Sequence, residues 1–163
     1  MMGGRLTQGL RRAAQVKPAG VAAIDGKHRH TWKEVLSRVA RAAGVLRKQG
    51  LSEGGRIAIL ALNSHRYFEI YYAIPWAGGA IVPLNTRLAV PELQYILEDS
   101  GAEILIVDDD LISVAQAIHE RLPALKLIHI GDGPAPNGFA GYEALVAHIE
   151  PVDDAGRSGG DLA

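Results

Sequence analysis

The sequence predicts an α/β fold: an open, mostly parallel sheet with helices on both faces. Three observations carry that expectation. Short, nearly continuous apolar runs at residues 56–62 (RIAILAL), 80–84 (AIVPL) and 104–107 (ILIV) read as strands buried on both sides, because each is too short for a helix of its own. Between them lie stretches whose apolar residues recur at helical spacing. A repeated strand, helix, strand order implies crossovers of one hand, and therefore a parallel sheet.

Each element has a local cause. The first helix is a mild, basic surface helix that ends near Pro18. Residues 21–24 and 28–30 flank Asp25-Gly26-Lys27 and read as a β-hairpin. Thr31-Trp32-Lys33-Glu34 is a capping box, and Val35, Leu36, Val39, Ala42, Ala43 and Leu46 follow at helical spacing, so a helix is expected over 31–49 with Gly50 as its left-handed stop. Asn63 or Ser64 caps the next helix, which carries Tyr67, Phe68, Ile70, Tyr71 and Ile74. Pro91 and Glu92 suit the first turn of another, with Leu93, Ile96 and Leu97 on one face and Gly101 just past its end. A helix over 111–121 and a strand over 125–130 complete the layer. Residues 1–130 then form one α/β unit. Residues 131–163 are a loop, a short helix at 142–149 and a polar, Gly-rich connector.

Composition excludes several function classes. The 163 residues suffice for one domain with a real core, and nearly half of them are apolar. Seventeen basic residues against eighteen acidic ones leave no excess for binding nucleic acid. The absence of cysteine rules out disulfides, thiolate zinc sites and a cysteine nucleophile, and fits a cytoplasmic setting. Residues 1–24 hold Arg5, Arg11, Arg12 and Lys17 without an acidic residue, faintly like a transit peptide but lacking its Ser-rich run. Residues 67–84 carry Glu69 as their only charge and are long enough for a membrane span. Pro75, Gly78, Gly79 and Pro83 would break such a helix, so a buried helix followed by a buried strand is expected instead.

The candidate sites are few. Gly20 to Gly26-Lys27 has one residue too many for a phosphate-binding P-loop and lacks the following Ser or Thr. Gly54-Gly55 and Gly78-Gly79 lack dinucleotide-fingerprint spacing, and the second pair suits a chain reversal after a helix. His28 and His30 point to one face of a strand and could hold a metal, but no third ligand is identifiable from the sequence. Asp108-Asp109-Asp110 ends a strand, where open sheets place ligands, and could attract magnesium; the same residues are natural caps for the helix at 111. Ser64 and His65 are adjacent at a helix start and do not face each other as a nucleophile and base would. No catalytic residue and no metal centre is assigned.

The stretch HTWKEVLSRVARAAGVLRKQGLSEGGRIAILALNSHRYFEIYYAIPWAGGAIVPLNTRL resembles the opening motifs of acyl-CoA ligases of the adenylate-forming superfamily. HTWKEV stands for a Thr-Tyr-x-Glu-Leu pattern, GGRIAILALNS for Gly-Asp-Arg-Val-Ala with Pro-Asn-Ser, and WAGGAIVPLNTRL for Leu-Gly-Ala-Val-x-Val-Pro-Leu-Asn. LEDSGAEILIVDDD extends the likeness, which runs over about residues 6–130. Gly55 and Leu62 depart from the pattern's Asp and Pro.

The resemblance implies the first part of the family's large N-terminal domain, truncated. It also implies a reaction in which a carboxylic acid and ATP give an acyl-adenylate, from which CoA then displaces AMP. The complete enzyme would use ATP, Mg2+ and CoA. The family's Ser/Thr/Gly-rich phosphate loop and catalytic Lys have no counterpart here, although Gly159-Gly160-Asp161-Leu162-Ala163 resembles the residues just before that loop. The chain alone is therefore expected to be inactive, to bind none of these ligands tightly, and to self-associate through apolar surface. The alternative is a stand-alone interaction module that kept the fold. Leu84-Asn85-Thr86-Arg87-Leu88 is closer to fatty-acyl or aryl CoA ligases than to peptide-synthetase domains. In some CoA ligases the Arg of this pattern holds a CoA phosphate, which makes Arg87 a candidate contact; its other reading is a cap on local carbonyls or a pair with Glu92.

Overall fold

The computed structural model describes residues 5–158 and 160–161. A first helix, α1 (Gln8–Val16), leads into a hairpin of β1 (Val21–Asp25) and β2 (His28–Thr31), which turns at Gly26 with φ 55°. Then come α2 (Trp32–Lys48), β3 (Arg56–Leu60), α3 (His65–Ala77), β4 (Ala80–Pro83), α4 (Val90–Ser100) and β5 (Ala102–Val107). A 3-10 turn (Asp109–Leu111) precedes α5 (Ile112–Arg121), followed by β6 (Lys126–His129), β7 (Ala140–Gly141) and α6 (Tyr142–Ala147).

The five strands β4-β3-β5-β6-β7 pair in that order, every ladder parallel. Strand side chains alternate between two cores, as the two-residue period dictates. Ile57, Ile59, Ile104, Ile106, Ile128 and Ile130 pack against α1, α2, α3 and α6. Ala58, Leu60, Leu105, Val107 and Leu127 pack against α4 and α5. Burial on both faces explains why the strand runs are apolar without a polar alternation.

The caps of α2 and α3 are those the sequence calls for. Thr31 and Glu34 form the capping box of α2. Ser64 Oγ accepts the Tyr67 N–H at 3.1 Å, and Gly78, at φ 94°, ends α3. The 67–84 segment is accordingly a buried helix and a strand, and among the described residues no helix is long and apolar enough to cross a membrane.

Three details differ from expectation. The two-residue β7 has no apolar run to announce it, yet it lies parallel beside β6. Asp109 and Asp110 sit within a 3-10 turn, and no Asp side chain caps that turn or α5; the Asp108 and Asp109 carboxylates serve neighbouring loops instead. Residues 151–158 run back over the α1, α2 and α3 side of the layer. The Trp76 indole N–H donates to Val152 O at 2.8 Å, Ala155 N–H to Trp76 O at 2.9 Å, and Arg47 to Asp153 O at 3.0 Å. Thr7 Oγ1 donates to Asp154 at 2.5 Å and Arg11 pairs with the same carboxylate at 3.2 Å. Of the expected approach to a phosphate loop, Gly159, Leu162 and Ala163 lie outside the described residues.

Candidate functional site

The strand order locates the crevice. From β3 the chain winds outward to β4 and then returns across to β5, so connections on either side of the β3–β5 junction leave in opposite directions. In open parallel sheets that reversal opens a gap outside the carboxyl ends of the strands, where ligands bind. Here the gap is a cavity of about 240 Å³ lined by residues 62–64 after β3, 108–110 after β5 and 130–132 after β6, with Asp25 and Arg66 at its rim.

Two aspartates tie these loops together. Asp108 Oδ2 accepts the Leu62 N–H at 2.6 Å, joining the ends of β5 and β3. Burial pushes the Asp108 carboxyl above its ordinary range, helped by Asp110 and opposed by backbone N–H groups, including that of Leu62. Asp109 spans to the end of β6: Oδ1 lies 2.8 Å from His129 Nε2, and Oδ2 accepts the Asp132 N–H at 2.8 Å. Burial acts upward on Asp109 too, but the Asp132 N–H and His129 outweigh it and hold the carboxyl below its ordinary range. A Cβ at Gly131 would run into the Asp109 carboxylate and push it off its bonds to His129 and the Asp132 N–H. Among the described residues, the three aspartates do not converge on an ion-sized centre. Asp108 and Asp109 instead fasten loops.

Arg87 lies in the exposed turn after β4, at the same end of the sheet. Asn85 Oδ1 accepts the Arg87 N–H at 3.0 Å, an Asx turn that sets the backbone and leaves the side chain pointing off it. Glu92 does not pair with Arg87; its carboxylate accepts the Ala89 N–H at 2.9 Å at the start of α4. Among the described residues the Arg87 guanidinium has neither a hydrogen bond nor an ion pair.

Sequence reasoning missed two groupings. Glu69 is fully buried on α3, where its carboxylate accepts Arg38 Nε at 2.6 Å and the Tyr142 hydroxyl at 2.9 Å. Glu143 accepts from Arg38 at 2.9 Å and from Arg66 at 2.6 Å, and Arg66 also pairs with Asp132 at 2.9 Å. Burial alone would lower the Arg38 pKa, yet Glu69 and Glu143 outweigh it and raise it. The only advance signal was Glu69, the one charge in an apolar segment. The second grouping supplies the third histidine: His65 stands beside His28 and His30, with the donor atoms of all three within 4.8 Å of one another. Ser64, spent on its cap, is no partner for His65.

The fold and its crevice define a doubly wound α/β layer with its ligand-facing edge at the carboxyl ends of β3, β4 and β5. The family described as AMP-binding enzyme matches residues 10–156, and the chain belongs to it. Among curated relatives it is 39% identical over 155 residues to a feruloyl-CoA synthase of Amycolatopsis sp, covering 93% of this chain and 31% of that protein. It is 36% identical over 126 residues to a long-chain-fatty-acid–CoA ligase of Thermus thermophilus, covering 77% and 23%. Among solved structures, the anthranilate CoA ligase AuaEII in complex with anthranoyl-AMP superposes with a TM-score of 0.90 at 23% identity, covering 99% of this chain and 31% of that one, a likeness of fold. The chain thus spans between about a quarter and a third of the length of the curated relatives it matches.

Proposed function

We propose that this chain is the amino-terminal α/β layer of an ATP-dependent fatty-acyl or aryl CoA ligase, and that the layer alone does not form an adenylate. The carrying observation is the family match over residues 10–156 together with relatives named as a long-chain-fatty-acid–CoA ligase and a feruloyl-CoA synthase. In the anthranilate ligase the same fold accompanies anthranoyl-AMP, the mixed anhydride that such a reaction forms from an aromatic carboxylate and ATP.

The residues present do not suit the triphosphate. Adenylation concentrates negative charge, which needs backbone N–H groups, Lys or Arg side chains and magnesium around it. The crevice offers Asp108, Asp109, Asp110 and Asp132, and its one arginine, Arg66, is committed to Glu143 and Asp132. Gly78 caps a helix rather than wrapping phosphate. No adenylation step is therefore assigned to residues of this chain, and ATP and Mg2+ belong to the rest of the ligase.

CoA is different, since its phosphates need only a free cation. Arg87 supplies a planar fork of N–H donors suited to a phosphate, held at the ligand-facing edge by the Asn85 turn. The layer's contribution is then to position the CoA phosphate, while the carboxylic acid is selected elsewhere. Reading the coding sequence past the Ala163 codon tests this assignment. A Ser/Thr-Gly-Thr-Thr-Gly-like loop downstream supports it, whereas a stop codon favours an interaction module with the same fold.

A further inference from the structure

Three histidines from two separate elements meet beside the hairpin, and neither the crevice nor Arg87 uses them. His28 and His30 lie two apart on β2 and share a face. His65 opens α3 and is almost fully buried. The ring centroids of His65 and His28 are 4.6 Å apart, and those of His65 and His30 are 5.0 Å apart.

Two further observations point to a ligand. His30 Nε2 is buried and has no hydrogen-bond partner, a condition native interiors ordinarily avoid. Asp25, the last residue of β1, lies with Oδ2 2.9 Å from His65 Nδ1 and also accepts the His65 backbone N–H at 3.0 Å. An ionised carboxylate only accepts, so it places the imidazole proton on Nδ1 and leaves the Nε2 lone pair free. A carboxylate oriented on the far nitrogen of a histidine is the usual second partner of a metal-ligating imidazole.

We propose that His28, His30 and His65 bind one first-row transition ion, with Zn2+ as the reference case, and that Asp25 orients His65 for it. Three neutral imidazoles suit zinc, copper or nickel and give no grip on magnesium or calcium, which take oxygen ligands. Glu69, one turn beyond His65 on α3, adds no fourth ligand because Arg38 and Tyr142 hold its carboxylate. His28 is partly exposed, so water can serve as the fourth ligand. On binding, the nitrogens draw in to roughly 3.3–3.4 Å from one another, as zinc–nitrogen bonds of about 2.0–2.1 Å in a tetrahedron require. The ion would clip the β1–β2 hairpin to the start of α3.

Equilibrium dialysis and calorimetric titration of the untagged, chelator-treated chain with ZnCl2 test the site. The expected result is one equivalent bound, with a higher melting temperature in zinc than in chelator. His28→Asn, at a half-exposed strand position, should abolish that equivalent while circular dichroism shows an unchanged fold. Asp25→Asn should weaken binding by about 10- to 100-fold. His148→Asn, outside the cluster, should leave it intact. Absence of a bound equivalent in the unmodified chain overturns the proposal, and so does a folded His28→Asn that binds zinc like the parent.

Discussion

Arg87 is the residue on which the proposed CoA contact turns, because it is a cation at the carboxyl end of the sheet with no partner among the described residues. The sequence leaves it between a CoA phosphate contact and a local use, capping nearby carbonyls or pairing with Glu92. Neither local use is made: Glu92 accepts the Ala89 N–H without pairing with Arg87, and among the described residues the guanidinium donates to no carbonyl. In the ligase containing this layer, Arg87→Ala should raise KM for CoA by about tenfold or more, the loss of one charge-assisted phosphate contact worth roughly 1.5–3 kcal/mol. Carboxylate-dependent ATP–pyrophosphate exchange should stay unchanged. Steady-state kinetics against CoA check both, and an unchanged KM returns Arg87 to a surface role. The neighbouring aspartates show the reverse outcome. The run of three reads as a magnesium lure or a helix cap, but Asp108 and Asp109 instead bind loops separated from them by 46 and 23 residues in sequence. No local pattern announces such partners.

At the scale of elements, α3 was legible in its limits and illegible in its attachments. Ser64 and Gly78 mark its ends by cap chemistry that acts within one turn, so the sequence shows it directly. The ion network that fixes α3 against α2 and α6 depends on residues 31, 73 and 105 positions apart, which only the fold brings together. Glu69 is its buried centre. Removing one member of a buried pair costs about 3–5 kcal/mol, because the other is left charged without compensation. Arg38 keeps Glu143, so Glu69→Ala should cost about 3 kcal/mol, the low end of that range. At ~2–4 °C per kcal/mol for a chain of this size, the melting temperature should fall by roughly 6–12 °C. Thermal and urea unfolding check this, and a loss below about 1 kcal/mol would mean that α3 is held by apolar packing alone. The 151–158 segment teaches the same lesson. Polar composition reads as a loose connector, but its backbone bonds to Trp76, Ala40 and Arg47 lie outside the reach of any sequence window.

For the whole molecule, the parallel sheet was legible because each buried strand must be apolar on both faces, and that leaves a continuous signature. The two-residue β7 escaped because its pairing rests on backbone alone. Among the described residues β4 is unpaired along its outer edge, and Ile24 (64%), Leu62 (52%), Tyr71 (53%) and Tyr95 (68%) are exposed. Open edges and apolar side chains of this kind invite partners. We expect the 163-residue chain to self-associate, with a sedimentation coefficient that rises with concentration in analytical ultracentrifugation; a concentration-independent monomer would oppose this. The central claim is that this layer belongs to a carboxylate-activating ligase yet carries none of the adenylating groups. Carboxylate-dependent exchange of labelled pyrophosphate into ATP tests it most directly, using a fatty-acid and an aromatic-acid panel. No exchange is expected from the 163-residue chain, and exchange is expected from a longer ligase containing it. Exchange catalysed by the 163 residues alone, or none by the longer protein with any acid, would contradict it.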